Sequence, residues 1–421
     1  MDKDTIMVAK IKAQLSKFSG IISRDFSQAK RRLIKEMLYG IQATKDVKLS
    51  NISRSLHEEQ ALIKTEDRLS RNLDDVDFTE GLNEEICRLG ASKVLEDMVI
   101  ALDPSDIRKE HARTMQYLCR IRDGSEKELG DGYWLCKAVA ADIEHKQVIP
   151  LYCEAYSQEA EDFKSENDQL LRAIAMVSRY AGSRGIWAID RAGDRGIIFE
   201  RFLQTDELKR FVIRLRKKRD LVHRGVRKNS HELAQVLACP FQATLIKYED
   251  GKEKVRTVCY SAVSVKLPGR DERLVLVVVK GFGKDPLMLL TNCAVTLQHK
   301  ESVWRIVEIY LTRWKCDESF RYIKQSYNLE DVRVRSYTAI RNVVVLVLAV
   351  SYFAAVYLGQ NLKLKILVER IFLVSKRFFG VPSFFNYAMA DGLYNLLFPD
   401  KTGLKTRRGD TQNFQLSFDF W

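Results

Sequence analysis

Proline is scarce in this sequence, 7 in 421 residues, and none occurs in the first 85. Long helices are therefore free to form at the N-terminal end. Histidine is equally sparse, and the six (His57, His111, His145, His223, His231, His299) do not cluster, so no zinc site is expected. The eight cysteines (Cys87, Cys119, Cys136, Cys153, Cys239, Cys259, Cys293, Cys316) are scattered, with no CxxC pair. That pattern fits reduced, buried thiols in a cytosolic protein. The start, Met1-Asp2-Lys3-Asp4, has acids and no apolar stretch behind it, so a secretory signal is not expected. The longest apolar run, Val343 to Tyr357, falls short of the roughly 20 residues of a membrane span and reads as a buried core helix.

What is present is positive charge. Lys+Arg number 69 against Asp+Glu 56, a net +13. Such an excess points toward polyanions, nucleic acid or an anionic membrane surface, and with no spanning segment expected nucleic acid leads. Hydrophobic residues at 46% and charged residues at 30% exclude wholesale disorder. The length fits roughly two to four domains.

Residues 1–85 read as a helical DNA-binding domain. Apolar positions recur at three and four in Phe18, Ile21, Ile22 and Phe26, then Leu33, Ile34, Met37, Leu38 and Ile41. Lys48 to Ile52 reads as a cap and a short helix through Leu56, and Thr65-Glu66-Asp67 as a second cap before Arg68 to Arg71. Two short helices about a tight connection suit a helix-turn-helix, and suit a plain helical bundle equally well.

From about residue 94 the pattern becomes strand-like. Met98 to Leu102 ends on Asp103; Tyr117 to Arg122 enters a turn at Asp123-Gly124-Ser125; Gly132 to Ala141 and Val148 to Tyr156 form a hairpin. A helix over 158–178 precedes the strand Gly185 to Ile189, which ends on Asp190; a helix over 196–204 and a strand from Phe211 to Leu215 follow. This is a mixed α/β sheet, and 86–232 reads as its first part. Residues 233–298 read as an all-β insertion, with turns at Asp250-Gly251, Pro268-Gly269 and Gly281 to Gly283. A second, helical part of the core occupies 299–380. Residues 381–421 read as a C-terminal tail.

The chemistry gathers on acids. Asp103, in Leu102-Asp103-Pro104-Ser105-Asp106, and Asp190, in Ile189-Asp190-Arg191, each close an apolar strand, and Asp194 can cap the next helix. Asp103 and Asp190 can equally be capping residues. Together they would make a site for hard, oxygen-loving cations such as Mg²⁺ or Mn²⁺. Two such ions about 3.5–4 Å apart activate water and stabilise a leaving oxygen at a phosphodiester. A third ligand is expected on the helix from Tyr310 to Lys324, where Arg313, Asp317 and Lys324 lie near one face. A salt-bridged amphipathic helix has the same spacing.

That helix resembles the Tyr-x2-Arg-x3-Glu-x6-Lys signature of bacterial insertion-sequence-four-type DDE transposases. Tyr310, Arg313 and Lys324 fall on its positions, with Asp103 and Asp190 in the settings of the first two aspartates, over roughly 94 to 345. The resemblance implies a ribonuclease-H-like core interrupted by a β insertion. It implies metal-dependent cleavage at transposon ends through 3′-end nicking and hairpin formation, then strand transfer into target DNA. It implies two Mg²⁺ ions, terminal inverted repeats and target DNA as partners, a homodimer in the synaptic complex, and a bacterial cytoplasmic, nucleoid-associated setting. The glutamate position holds Asp317, with Glu318 beside it; helical register favours Asp317 and side-chain reach favours Glu318. The tryptophan that family members often carry in the insertion is absent near Leu287 to Thr291, and Trp304 comes later.

A basic segment, residues 207–228, carries Lys209, Arg210, Arg214, Arg216, Lys217, Lys218, Arg219, Arg224, Arg227 and Lys228 against Glu207 and Asp220. It follows the second acid, so phosphate contact is expected from Arg214 through Arg219, with Arg191 beside Asp190. A solvated sheet edge would look the same. Arg333, Arg335 and Arg341 form a second basic set, interleaved with Tyr322, Tyr327 and Tyr337, which suit base stacking or a core. The expected activity is cut-and-paste DNA transposition. The alternative is a catalytically silent, transposase-derived DNA-binding protein, motivated by Cys316-Asp317-Glu318.

Overall fold

The computed structural model describes residues 3–122, 128–144, 147–204, 209–249, 252–360, 368–369, 371 and 385–405. The turns expected at 123–125 and 250–251, Glu207, and residues 406–421 of the expected tail lie outside them. The chain opens with helices α1 (Lys3–Ile22), α2 (Gln28–Thr44), α3 (Leu49–Leu56), α4 (Leu62–Asp75) and α5 (Thr79–Ala91). Then come β1 (Val99–Arg108), β2 (Cys119–Arg122), β3 (Leu129–Ala141), β4 (Val148–Tyr156), α6 (Glu166–Ala181), β5 (Ile186–Ile189), α7 (Gly196–Leu203) and β6 (Phe211–Arg214). Next are β7 (Asp220–His223), β8 (Val226–Asn229), α8 (Ser230–Val236), β9 (Phe241–Glu249), β10 (Lys252–Val265), β11 (Leu274–Lys280) and β12 (Leu287–Thr291). Helices α9 (Lys300–Thr312), α10 (Trp314–Ser326), α11 (Tyr337–Tyr352), continued by a π-helical segment over Phe353–Leu358, and α12 (Phe385–Leu397) follow.

Two compact units result: 1–85 with 111–116 and 322–421, and 86–110 with 117–321. In the first, the N-terminal helices pack with described helices of the C-terminal part rather than alone: α2 and α4 with α11, and α1 and α2 with α12. The α2 positions Leu33, Ile34, Met37, Leu38 and Ile41 are all buried, as their spacing predicts. The apolar run sits in a longer helix than its own length, Tyr337–Leu358, 22 residues that would suffice to cross a membrane. Yet 89% of its apolar window is buried inside the structure, where α11 packs on α2 and α4. Each buried Val or Leu there contributes about 1.5–3 kcal/mol. Thr65 is not a cap but a buried residue inside α4, which begins at Leu62. Within the range read as a tail, α12 is a helix with Leu393, Leu396 and Leu397 buried.

The second unit is built on one ten-stranded mixed sheet, ordered β2-β3-β1-β5-β6-β12-β11-β10-β9, with β4 also paired to β3. Strands β5 and β6 run parallel to β1 and to each other, while β3 and β4 are antiparallel to their neighbours. The strand order β4-β3-β1-β5-β6 is consistent with a ribonuclease-H-like core. The β-rich stretch is not a separate body: β12 pairs with β6 and so continues the same sheet. It also begins with a helix, α8, and its two central runs are one strand, β10.

Residues alternate between the two faces of each strand. Val99, Ile186, Ala188 and Val212 point to the face covered by α9, against Val303, Ile306, Val307 and Tyr310. Trp187 and Phe211 point to the other face, against Phe202 and Phe199 of α7. The core thus lies on both sides of the central parallel strands.

Candidate active site

Strand β1 does not stop at Asp103. It pairs with β5 only from Val99 to Leu102, but with β3 as far as Arg108. Pro104 falls where the β5 side has opened, the one place in a flanked strand where a missing N–H costs no ladder bond. Leu102 pairs with Ile189, so Asp103 and Asp190 are the next position of each strand, at the point where β1 and β5 part. By alternation both aspartates share the face of Val99, Ile186 and Ala188, the face that α9 covers.

Arg313, at the junction of α9 and α10, meets Asp103 there. Its Nη1 lies 2.6 Å from Asp103 Oδ2, and its Nη2 lies 3.4 Å from Asp317 Oδ2. Both Arg313 and Asp103 are 8% exposed. The Asp103 carboxyl is pushed well above the usual range, first by burial and then by the charges of Asp190 and Asp317, against the pull of Arg313. Burial works against the Arg313 charge, but Asp103 and then Asp317 outweigh it and hold the guanidinium firmly protonated.

Asp190 and Asp317 therefore both act on Asp103, which shares one guanidinium with Asp317. In number and chemistry these donors fit a hard divalent cation. Among the described residues, however, no group of three or more His, Cys, Asp or Glu is drawn together closely enough to hold a metal ion. Arg313 supplies the positive charge that Asp103 and Asp317 share. Asp190 has one oxygen engaged elsewhere, capping the 3₁₀ turn Arg191–Gly193 through a 2.6 Å bond from the Ala192 N–H.

The other expected residues are placed differently. Glu318 faces its own helix surface, 3.0 Å from Arg321. Tyr310 is 2% exposed and lies beneath Arg313, whose guanidinium sits 5.8 Å from the ring centre, so burial closes it off from direct DNA contact. Lys324, two turns beyond Asp317 on α10, is 3.0 Å from Glu330. Tyr322, Tyr327 and Tyr337 are core residues, not stacking platforms. Arg341 pairs with Asp77, while Arg333 and Arg335 are exposed and line a cavity of about 400 Å³ with Lys48.

The basic segment is not a uniform track. Asp194 is no helix cap; it is buried at 2% and takes the Arg216 N–H at 2.7 Å and Arg219 Nε at 2.6 Å. Arg216 also reaches the Arg191 carbonyl, Arg210 pairs with Glu96, Lys217 with Asp285 and Arg227 with Asp220. Lys209 is buried. Arg191 and Lys218 are exposed, and Arg214 is half-buried at the end of β6. In the first unit, α4 carries four acids against three bases, and Arg68 is held by Glu36 and Glu58. Its charge favours the helical-bundle reading over a DNA-reading helix.

One residue escaped sequence reasoning. Lys137 is fully buried, directly opposite Asp103 across the β1–β3 ladder and on the same face. Its Nζ donates to the Ser319 carbonyl at 3.1 Å and lies 5.3 Å from the Phe320 ring centre. In return, the Cys316 thiol contacts the Lys137 carbonyl at 3.9 Å. Lys137 thus staples α10 to the sheet on either side of Asp317. The available signal was a lone lysine inside the apolar run Tyr133 to Ala141. Burial raises the Cys316 thiol well above its ordinary value, so it is not a thiolate nucleophile.

No family model matches the chain, and no curated protein matches it. Among solved structures it is similar to a piggyBac transposase synaptic complex with hairpin DNA, at a TM-score of 0.46 and 10% identity, over 87% of this chain and 78% of that one. At that distance the likeness assigns no role to any residue.

Proposed function

We propose that this chain is a DDE-type DNA transposase, resembling the insertion-sequence-four family, that cuts DNA at transposon ends and joins them to target DNA. The observation that carries the reading is that Asp103 and Asp190 follow paired positions of adjacent parallel strands where β1 and β5 part, and that Arg313 bridges Asp103 to Asp317 there. Asp103, Asp190 and Asp317 would hold Mg²⁺ or Mn²⁺, which when bound makes water a stronger nucleophile and stabilises a leaving oxygen. Glu318 enters only if α10 turns, since its carboxylate is engaged by Arg321. Arg313, once drawn from Asp103, is placed to bind a phosphate oxygen beside the acids. Lys137 fixes the helix that presents Asp317. Terminal inverted repeats, target DNA, a homodimer at the paired ends and a bacterial nucleoid setting belong to the same proposal.

The test is a nicking and strand-transfer assay on the DNA ends that flank the reading frame, with Mg²⁺ or Mn²⁺. Wild type is expected to cleave, and Asp103→Ala, Asp190→Ala and Asp317→Ala to lose cleavage by a factor on the order of 10³ or more. Glu318→Ala is expected to retain it. Cleavage by Asp103→Ala at the wild-type rate sinks the assignment. A second reading, a catalytically silent DNA-binding relative, is favoured by the Arg313 bridge to Asp103 and Asp317. End binding by wild type without nicking in either cation selects it.

A further inference from the structure

Within the basic segment, β7 and β8 form a two-stranded sheet of their own, apart from the ten-stranded one. Their ladder runs from Asp220–Asn229 to His223–Val226, leaving a two-residue turn, Arg224-Gly225. Both turn residues have positive φ, 50° and 78°. That is the primed hairpin turn, in which the first position ordinarily takes Asn, Asp or Gly. An arginine there pays a backbone penalty that those residues avoid. Lys45 and His57, also at positive φ, close helices α2 and α3; Arg224 closes nothing but the hairpin tip. A strained position held by a long cation points to a use for that side chain.

The hairpin is fixed along β7 as far as the residue before the turn, and its turn and most of β8 are exposed. Leu221 is fully buried. Val222 exchanges backbone bonds with Lys266 at 2.8 and 2.9 Å, and His223 Nδ1 lies 2.9 Å from the Ser264 carbonyl. Arg219 is anchored on Asp194, and Arg227 on Asp220. Residues 224–228 are all exposed, and Val226, an apolar side chain, is 55% exposed among cations. No ion pair or hydrogen bond among the described residues engages the Arg224, Lys218 or Lys228 side chain. A hollow lined by His223, Arg224, Gly225 and Lys266 runs beside the tip.

We propose that the β7–β8 hairpin is a DNA-reading finger: the Arg224 guanidinium enters the minor groove of duplex DNA, with Lys218 and Lys228 on the flanking phosphates. This rests on the DNA reading above and adds a contact outside the acidic site. The tip is one residue pair wide, and Gly225 brings no side chain, so a single guanidinium can be inserted between two strands. A narrow, A·T-rich minor groove concentrates negative potential and takes arginine in this way. The exposed Val226 lies against the groove wall.

The test uses the full chain and fluorescence anisotropy on an A·T-rich duplex across a salt series, with and without netropsin, which fills the minor groove. Arg224→Gly keeps the turn and removes its strain, so its melting midpoint is expected to equal or exceed that of wild type. Its DNA affinity is expected to fall about tenfold, and its salt slope by about one unit. Netropsin is expected to weaken wild type and leave Arg224→Gly unchanged. Equal affinity and slope for the two proteins overturn the proposal while leaving the DNA reading intact. A loss in Arg224→Gly with no netropsin effect on wild type overturns the groove assignment. Failure of wild type to bind duplex at low salt sinks the DNA reading itself.

Discussion

Arg313 holds Asp103 through a 2.6 Å contact between two side chains that are both almost wholly buried. Two further carboxylates act on that pair, so the cluster carries more negative than positive charge. A buried ion pair stripped of one partner costs about 3–5 kcal/mol. Arg313→Gln is therefore expected to lose about 3 kcal/mol at neutral pH.

The pH dependence has a definite sign. Burial, with Asp190 and Asp317, raises the Asp103 carboxyl above its unfolded value. The native state then binds a proton that the unfolded chain has released, and stability falls as pH rises through the folded value. The contribution of Asp103 to the urea midpoint is expected to increase as pH is lowered through the raised folded value toward the ordinary carboxylate range, over a wider span in Arg313→Gln, where the opposing guanidinium is gone. Asp103→Asn should lose this contribution. An unchanged slope in Asp103→Asn would show that the proton is taken up elsewhere.

Lys137 separates stability from function. Its ammonium is buried, its pKa is lowered by burial, and its one short hydrogen bond goes to the Ser319 carbonyl. Replacing a buried charge by an apolar group of similar length is often neutral or stabilising. Lys137→Met is expected to melt within about 1 kcal/mol of wild type or above it. Cleavage should nonetheless fall on the order of 10²-fold, because a small displacement of α10 misplaces Asp317. A Met variant that cleaves normally would reduce Lys137 to a packing residue.

The sequence revealed these neighbours unequally, for physical reasons. Asp103 and Asp190 were visible because each follows a short apolar strand, a local signal. That β1 runs on to Arg108 was not, since its extension depends on pairing with β3, some thirty residues away. Which side of α10 meets the sheet is not a local signal, because it is set by Arg313 on Asp103 and Lys137 on Ser319, each acting over long range. The β-rich stretch looked like a separate module because strand order is non-local: β12, last in that stretch, is the strand that joins β6. Basic residues 207–228 read as one surface because composition cannot show that Asp194, Asp220, Asp285 and Glu96 neutralise four of them.

Asn342 tests the helical unit. It interrupts the apolar face of α11 and is fully buried. Its Nδ2 donates to the Leu73 and Val76 carbonyls at 2.8 and 2.9 Å, and its Oδ1 accepts the Phe78 N–H at 3.0 Å. One amide thus satisfies the backbone between the end of α4 and the start of α5, where helix termini leave groups unpaired. Asn342→Leu keeps the volume and deletes these three bonds and a longer fourth, from the Thr79 hydroxyl at 3.5 Å, leaving buried polar atoms without partners at about 1–3 kcal/mol each. A loss on the order of 3 kcal/mol in urea unfolding is expected. Ser351, buried on the same helix, is the control: its hydroxyl donates only to the Leu348 carbonyl of its own helix at 2.7 Å. Ser351→Ala should therefore cost about 1 kcal/mol or less. Equal losses in the two variants would mean that α11 answers to any polar deletion, and that the Asn342 amide does not tie α4 to α5.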